Sequence, residues 1–145
     1  MIMKEDNLPF KLAGLTKGTV LPEIKRTISQ ENINLFAEAT RDFNPIHVDD
    51  NFARKTPFQG TIAHGMLVLA YVSQIMTAAF GRKWFDSSQL DVRLKTPVRP
   101  GDILTFGGII RDINMNQEET LVLCDVFCRN QKGEPVIIGS ARVKV

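Results

Sequence analysis

The sequence predicts an α+β protein in which a curved antiparallel sheet wraps one long buried helix. Three observations point there. The run from Gly65 to Phe80 is apolar on almost every side. From Gln89 onward the apolar period switches to two, in consecutive strand-like runs separated by short turns. The length of 145 residues suits one domain, at ~150 residues per domain.

Residues 1–13, which include Pro9, are expected to form a tail or lead-in strand ahead of a single domain over residues 14–145. Gly18 to Ile28 reads as extended, because Val20, Ile24, Thr27 and Ile28 favour strands while Pro22 restricts the segment to an edge or bulge. Ser29 is a helix N-cap with Glu31 in the first turn. Ile33, Phe36, Ala37 and Thr40 then mark one helical face, and the helix is expected to end near Thr40 or Arg41. Arg41 to Ala63 reads as irregular, punctuated by Pro45 and Pro57, with Asp49 or Asp50 placed to cap a short turn through Asn51, Phe52 and Ala53. Loops this long inside a compact domain are commonly functional.

Gly65 to Phe80 is the second helix. With so few polar positions it is expected to be buried nearly all round, and Gly81 stops it. Leu90, Val92 and Leu94 alternate with Asp91, Arg93 and Lys95 in a half-buried strand. Pro97 to Asp102 makes a turn. Ile103 to Met115 is a long strand in which Gly107-Gly108 suggests a bulge or sharp bend. Glu119 to Arg129 is a further strand, Gln131 to Glu134 a hairpin turn, and Pro135 to Val145 the last strand.

Composition removes several functional classes. Eighteen basic and 16 acidic residues leave a formal net charge of +2, with no electrostatic footprint for nucleic acid or an anionic membrane. The 43% hydrophobic and 23% charged content is that of an ordinary soluble protein. The acidic N-terminus lacks the apolar run of a secretory signal, and Met66 to Phe80 is shorter than the ~20 residues that span a bilayer. Cys124 and Cys128 fall on one face of a strand, ~13 Å apart, beyond the ~7 Å reach of a disulfide. They read as buried, reduced thiols of a cytoplasmic protein.

Only two histidines occur, His47 and His64, and both lie in the long loop or at its exit. Asp42-Phe43-Asn44-Pro45-Ile46-His47 places a carboxylate and an imidazole around a rigid Asn-Pro, a pair able to hold, deprotonate and protonate a water. The same residues also suit a turn aspartate and a half-buried packing histidine. Ala63-His64-Gly65-Met66 enters the buried helix, whose first N–H groups attract an anion or a developing oxyanion. Gly65 equally permits tight packing of the entering chain. Ser73 lies eight residues past Gly65, ~12 Å along the axis, and reads chiefly as a satisfied core hydroxyl. No metal-binding spacing, phosphate loop or nucleophile elbow is present. Arg82, Lys83, Arg93, Lys95 and Arg99 form a loose basic group, a solvated face or a contact for substrate phosphates.

Together, Asp42 to His47, Phe52-Ala53, Ile62 to Leu67 and the turn Pro97 to Asp102 resemble the signature of the MaoC-like dehydratases, nearest to (R)-specific enoyl-CoA hydratases. The likeness covers roughly Gly14 to the C-terminus. It implies a hot-dog fold, a homodimer or dimer-based oligomer with the site at or near the subunit interface, and Asp42 and His47 as the catalytic pair. It further implies Gly65 as oxyanion donor, with Asn44, His64 and Ser73 about the substrate. The family pattern favours glycine where this chain has Arg41, from which an altered substrate preference is expected. The implied activity is reversible hydration of a trans-2-enoyl thioester to the (R)-3-hydroxyacyl thioester. No metal or redox cofactor is expected, since coenzyme A is part of the substrate. An acyl-carrier-protein substrate, a thioesterase and a non-catalytic acyl-thioester binding module are the alternatives.

Overall fold

Alternation of apolar and polar residues sets five antiparallel strands in one sheet of order β1-β3-β4-β5-β2. The computed structural model describes residues 14–145; the expected tail or lead-in over residues 1–13 lies outside them. The elements run β1 (Ile24–Thr27), α1 (Gln30–Thr40), α2 (Pro45–Val48), α3 (Asp50–Ala53), α4 (Gly65–Phe80), α5 (Arg82–Asp86), β2 (Ser88–Leu94), β3 (Ile103–Met115), β4 (Thr120–Arg129) and β5 (Pro135–Lys144). The inner face of the sheet closes on α4. Val72, Ile75, Met76, Ala79 and Phe80 meet Phe106, Ile110, Val122, Cys124, Ala141 and Val143 in one core. This is the wrapped-helix arrangement that the order of elements predicted, and the hot-dog fold that the resemblance implied.

Helix α1 starts at a reciprocal cap: the Ser29 hydroxyl accepts from the Asn32 N–H, and the Asn32 side chain accepts from the Ser29 N–H, both at 3.0 Å. It ends at Arg41, whose φ of +63° turns the chain sharply out of the helix. The segment read as irregular instead contains two single-turn helices. The Asn44 side chain caps α2 with Pro45 at its first position, and the Asp49 side chain caps α3. Each is too short to show a periodicity, so only the capping residues reveal them.

Two further expectations are corrected. The glycines of β3 are not the bulge, which falls between Ile110 and Asp112. Gly107 is needed because a Cβ there would lie 2.7 Å from the Phe127 ring, and one on Gly108 would lie 2.5 Å from the Asp125 carbonyl oxygen. Helix α4 is not covered on all sides either: Met66, Ala70 and Gln74, spaced four apart, form an open stripe along it. Among the described residues, no helix is long and apolar enough to cross a membrane.

Candidate active site

Asp42 and His47 are five positions apart, and the turn at Arg41 followed by α2 folds them toward the start of α4. His47 is buried, and its Nδ1 lies 2.8 Å from the Ile62 carbonyl oxygen. A carbonyl only accepts, so Nδ1 carries the ring proton and Nε2 is left as a free lone pair. Asn44 shapes this turn, as its N–H donates to the Asp42 carboxylate at 3.3 Å while its side-chain oxygen accepts from the Ile46 N–H at 3.2 Å.

His64 is the N-cap residue of α4 and only 2% exposed. Its Nε2–H donates to the main-chain carbonyl of Asp42 at 3.0 Å. Its ring contacts those of Phe36 and His47, with centroid separations of 4.9 and 3.9 Å. The remaining Nδ1 is buried without a hydrogen-bond partner. One donor atom from each of Asp42, His47 and His64 lies within 4.8 Å of the other two. A tetrahedral metal asks for donors ~3.3 Å apart, from metal–nitrogen bonds of ~2.0–2.1 Å. Here the two imidazoles are stacked at 30° between planes, so their in-plane lone pairs do not converge on one point. The arrangement suits a hydrogen-bonded water better than a metal ion.

Gly65 is the first residue of α4, so its N–H has no partner within the helix. It faces a cleft of about 270 Å³ walled by His47, Val68, Leu94, Thr96 and Val98. A Cβ on Gly65 would lie 2.5 Å from Leu94 Cδ1. The glycine therefore leaves room for a backbone donor at the cleft floor.

The structure thus brings together Asp42, His47, His64 and Gly65, with Asn44 bracing the turn. It does not bring in Ser73. That hydroxyl accepts from the indole N–H of Trp84 at 2.8 Å, and Ser73 does not line the cleft. His64, expected about the substrate, is buried here and its Nε2–H is bonded to the Asp42 carbonyl. The basic group is dispersed. Arg82 pairs with Asp86 at 3.6 Å beyond the far end of α4, and Arg93 borders a depression with Arg111 and Asp125. Lys95 alone of the five lines the cleft.

Sequence reasoning missed Gln30. Its amide donates to the His47 carbonyl at 2.8 Å and accepts from the Thr61 hydroxyl at 2.6 Å, tying α1 to both ends of the 41–63 segment. A glutamine directly after a capping serine carries no signal of this, because both partners are distant in sequence.

The model of the MaoC like domain matches residues 11–122. The chain is 32% identical over 122 residues to the (R)-specific enoyl-CoA hydratase of Rhodospirillum rubrum, covering 84% of this chain and 83% of that protein. It is 33% identical over 126 residues to the mitochondrial 3-hydroxyacyl-[acyl-carrier-protein] dehydratase of Arabidopsis thaliana, covering 86% and 73%. The solved (R)-hydratase of A. caviae, involved in PHA biosynthesis, superposes with a TM-score of 0.77 at 25% identity, over 90% of this chain and 97% of that one.

Proposed function

The chain belongs to the MaoC-like dehydratase family, and on that footing we propose that it hydrates trans-2-enoyl thioesters reversibly to (R)-3-hydroxyacyl thioesters. The observation that carries this reading is that His47 links two groups: a ring nitrogen of it lies within 4.8 Å of an Asp42 carboxylate oxygen, and it lines the same cleft as Gly65, the first residue of α4. Water is held between Asp42 and His47. His47 Nε2 takes one of its protons as the water oxygen attacks C3, and Asp42 orients the other O–H. The proton then returns to C2 on the same face, so that H and OH are added and no electrons are exchanged. That balance calls for no redox cofactor.

As C3 is attacked, negative charge moves onto the thioester oxygen. The Gly65 N–H, at the positive end of α4, opposes that charge. Such a donor is typically worth ~2.7–4 kcal/mol in the transition state. The chain's relatives carry names for both coenzyme A and carrier-protein substrates, and both thioesters present the same reacting atoms.

The working unit in this reading is a homodimer in the cytoplasm. Strand β2 is an edge strand, bonded to β5 on one side only. Exposed Met66, Phe85 and Leu94 lie on or beside that edge. An open strand edge flanked by apolar side chains favours pairing with a second copy.

The test is loss of enoyl absorbance with crotonyl-CoA, with the product's configuration determined. Asp42→Asn and His47→Gln are each expected to lose ~10²–10⁴-fold in kcat/KM. Full activity in either variant sinks the mechanism. Release of free thiol without loss of the enoyl group points to a thioesterase instead, and binding of the ester without turnover to a non-catalytic module.

A further inference from the structure

Helix α2, which carries His47, is a single turn of four residues, and a turn that short does not hold itself in water. Its carbonyls have to be satisfied from elsewhere. The Ile46 carbonyl accepts from the Ile62 N–H at 3.1 Å, and the His47 carbonyl accepts from the Gln30 amide at 2.8 Å. Gln30 is the first residue of α1, whose start is fixed by the reciprocal cap between Ser29 and Asn32.

The same amide also reaches the segment that holds the His47 ring. Its oxygen accepts from the hydroxyl of buried Thr61 at 2.6 Å. The next residue, Ile62, supplies the carbonyl to which His47 Nδ1–H donates at 2.8 Å. A carbonyl only accepts, so the amide nitrogen faces His47 and the amide oxygen faces Thr61. The nitrogen's second N–H donates to the Asn34 side-chain oxygen at 2.9 Å, one turn along α1. Both amide protons therefore have partners, and the side chain is held in one orientation. The backbone that bears the imidazole and the segment that bears its acceptor are fastened to one side chain. Neither Gln30 nor Thr61 lines the cleft.

We infer that Gln30 is a positioning residue for the hydration: it holds His47 and the Ile62 carbonyl in register, so that Nδ1 keeps the ring proton and Nε2 is aimed at the water. This rests on the hydratase reading. Without Gln30, the His47 carbonyl and the Thr61 hydroxyl lose their partner, and α2 is free to shift against the Ile62 segment. A shift of ~1 Å in a reacting group can cost ~10²-fold in rate.

The experiment compares the unaltered protein with Gln30→Met, which keeps the side chain's length and removes its bonds, and with Thr61→Val, which leaves Gln30 its bond to His47. Thermal melts accompany all three. Nitrogen-15 spectra of the histidine rings at about pH 8 read the tautomer directly, since a neutral imidazole carries one protonated and one bare nitrogen. The chain has only two histidines, and His47→Gln assigns the signals. Gln30→Met is expected to draw the two His47 signals together as both tautomers populate. It is expected to lower kcat on crotonyl-CoA ~10–100-fold with KM held within about twofold, because the lost bonds are not to substrate. Thr61→Val is expected to move both readouts the same way by less, and it supplies the comparison if Gln30→Met does not fold. Either readout unchanged in a folded Gln30→Met protein overturns the inference, as does a raised KM with kcat unchanged. If the unaltered protein does not hydrate crotonyl-CoA, the hydratase reading fails, while the spectra still decide whether Gln30 holds the imidazole.

Discussion

The imidazole of His64 donates a hydrogen bond to the main-chain carbonyl of Asp42 at 3.0 Å, across 22 positions of sequence. This bond fastens the turn that carries one member of the proposed catalytic pair to the first turn of the central helix. On the proposed function, His64 acts through this bond as a positioning residue. His64→Gln, which keeps a donor at the end of a side chain of similar length, is expected to retain more activity than His64→Leu. His64→Leu leaves the Asp42 carbonyl unpaired, at a cost of ~1–3 kcal/mol. It is expected to lower kcat with little change in KM, because the substrate's own contacts are untouched. Equal kcat in the two variants, measured alongside their melts, counts against the positioning role.

Arg41 stands where the backbone takes φ +63°. A left-handed residue with a Cβ costs roughly 1–2 kcal/mol relative to its preferred conformations. Glycine carries no such cost, which is a backbone reason for the glycine that the related signature favours. Arg41→Gly is expected to raise stability by about 1 kcal/mol in urea unfolding while leaving the hydration rate close to unchanged. Arg41→Val, β-branched in the same conformation, is expected to lower it.

Ser73 serves Trp84. Removing its hydroxyl leaves the buried indole N–H without its partner. Ser73→Ala is expected to destabilise the fold by ~1–3 kcal/mol with kcat/KM preserved at temperatures well below the melt. A large loss of kcat/KM in a fully folded Ser73→Ala protein returns Ser73 to the substrate site.

Burial pushes the thiols of Cys124 and Cys128 up from 9.0 to about 12, with the nearby Asp125 charge adding to the effect at Cys124. A raised folded-state value means that the native protein keeps these protons when the unfolded chain has lost them. Stability from this source is complete below pH 9 and declines as pH rises from about 9 toward about 12. The Cys124→Ala/Cys128→Ala double variant is expected to show a shallower alkaline loss of stability than the unaltered protein. In the folded protein both thiols are expected to resist a thiolate-selective reagent at pH 8 and to react on unfolding.

Much of the architecture is written in local pattern. The period-two runs locate β2 to β5, with Ile103 to Met115 matching the observed strand at both ends. The Ser29 cap and the Gly81 stop each fall at an observed helix boundary. These signals are legible because they depend on neighbours within a turn or a pleat. The short helices α2 and α3 escape, since four residues span barely one turn. The bulge escapes as well, because glycines at Gly107 and Gly108 serve a cross-strand contact and not a local bend.

The candidate site divides the same way. Asp42, His47 and Gly65 are visible in sequence as residue types able to do the chemistry. The tautomer that frees His47 Nε2 is set by the Ile62 carbonyl, 15 positions away. The enclosure of His64, the bracing by Gln30 and the approach of Leu94 to Gly65 likewise join residues from separate elements. By itself, then, the sequence determined the elements, the wrapped helix and the reactive groups. Only the tertiary structure decided which of those groups face one another, because distances between remote segments follow from packing and not from spacing along the chain.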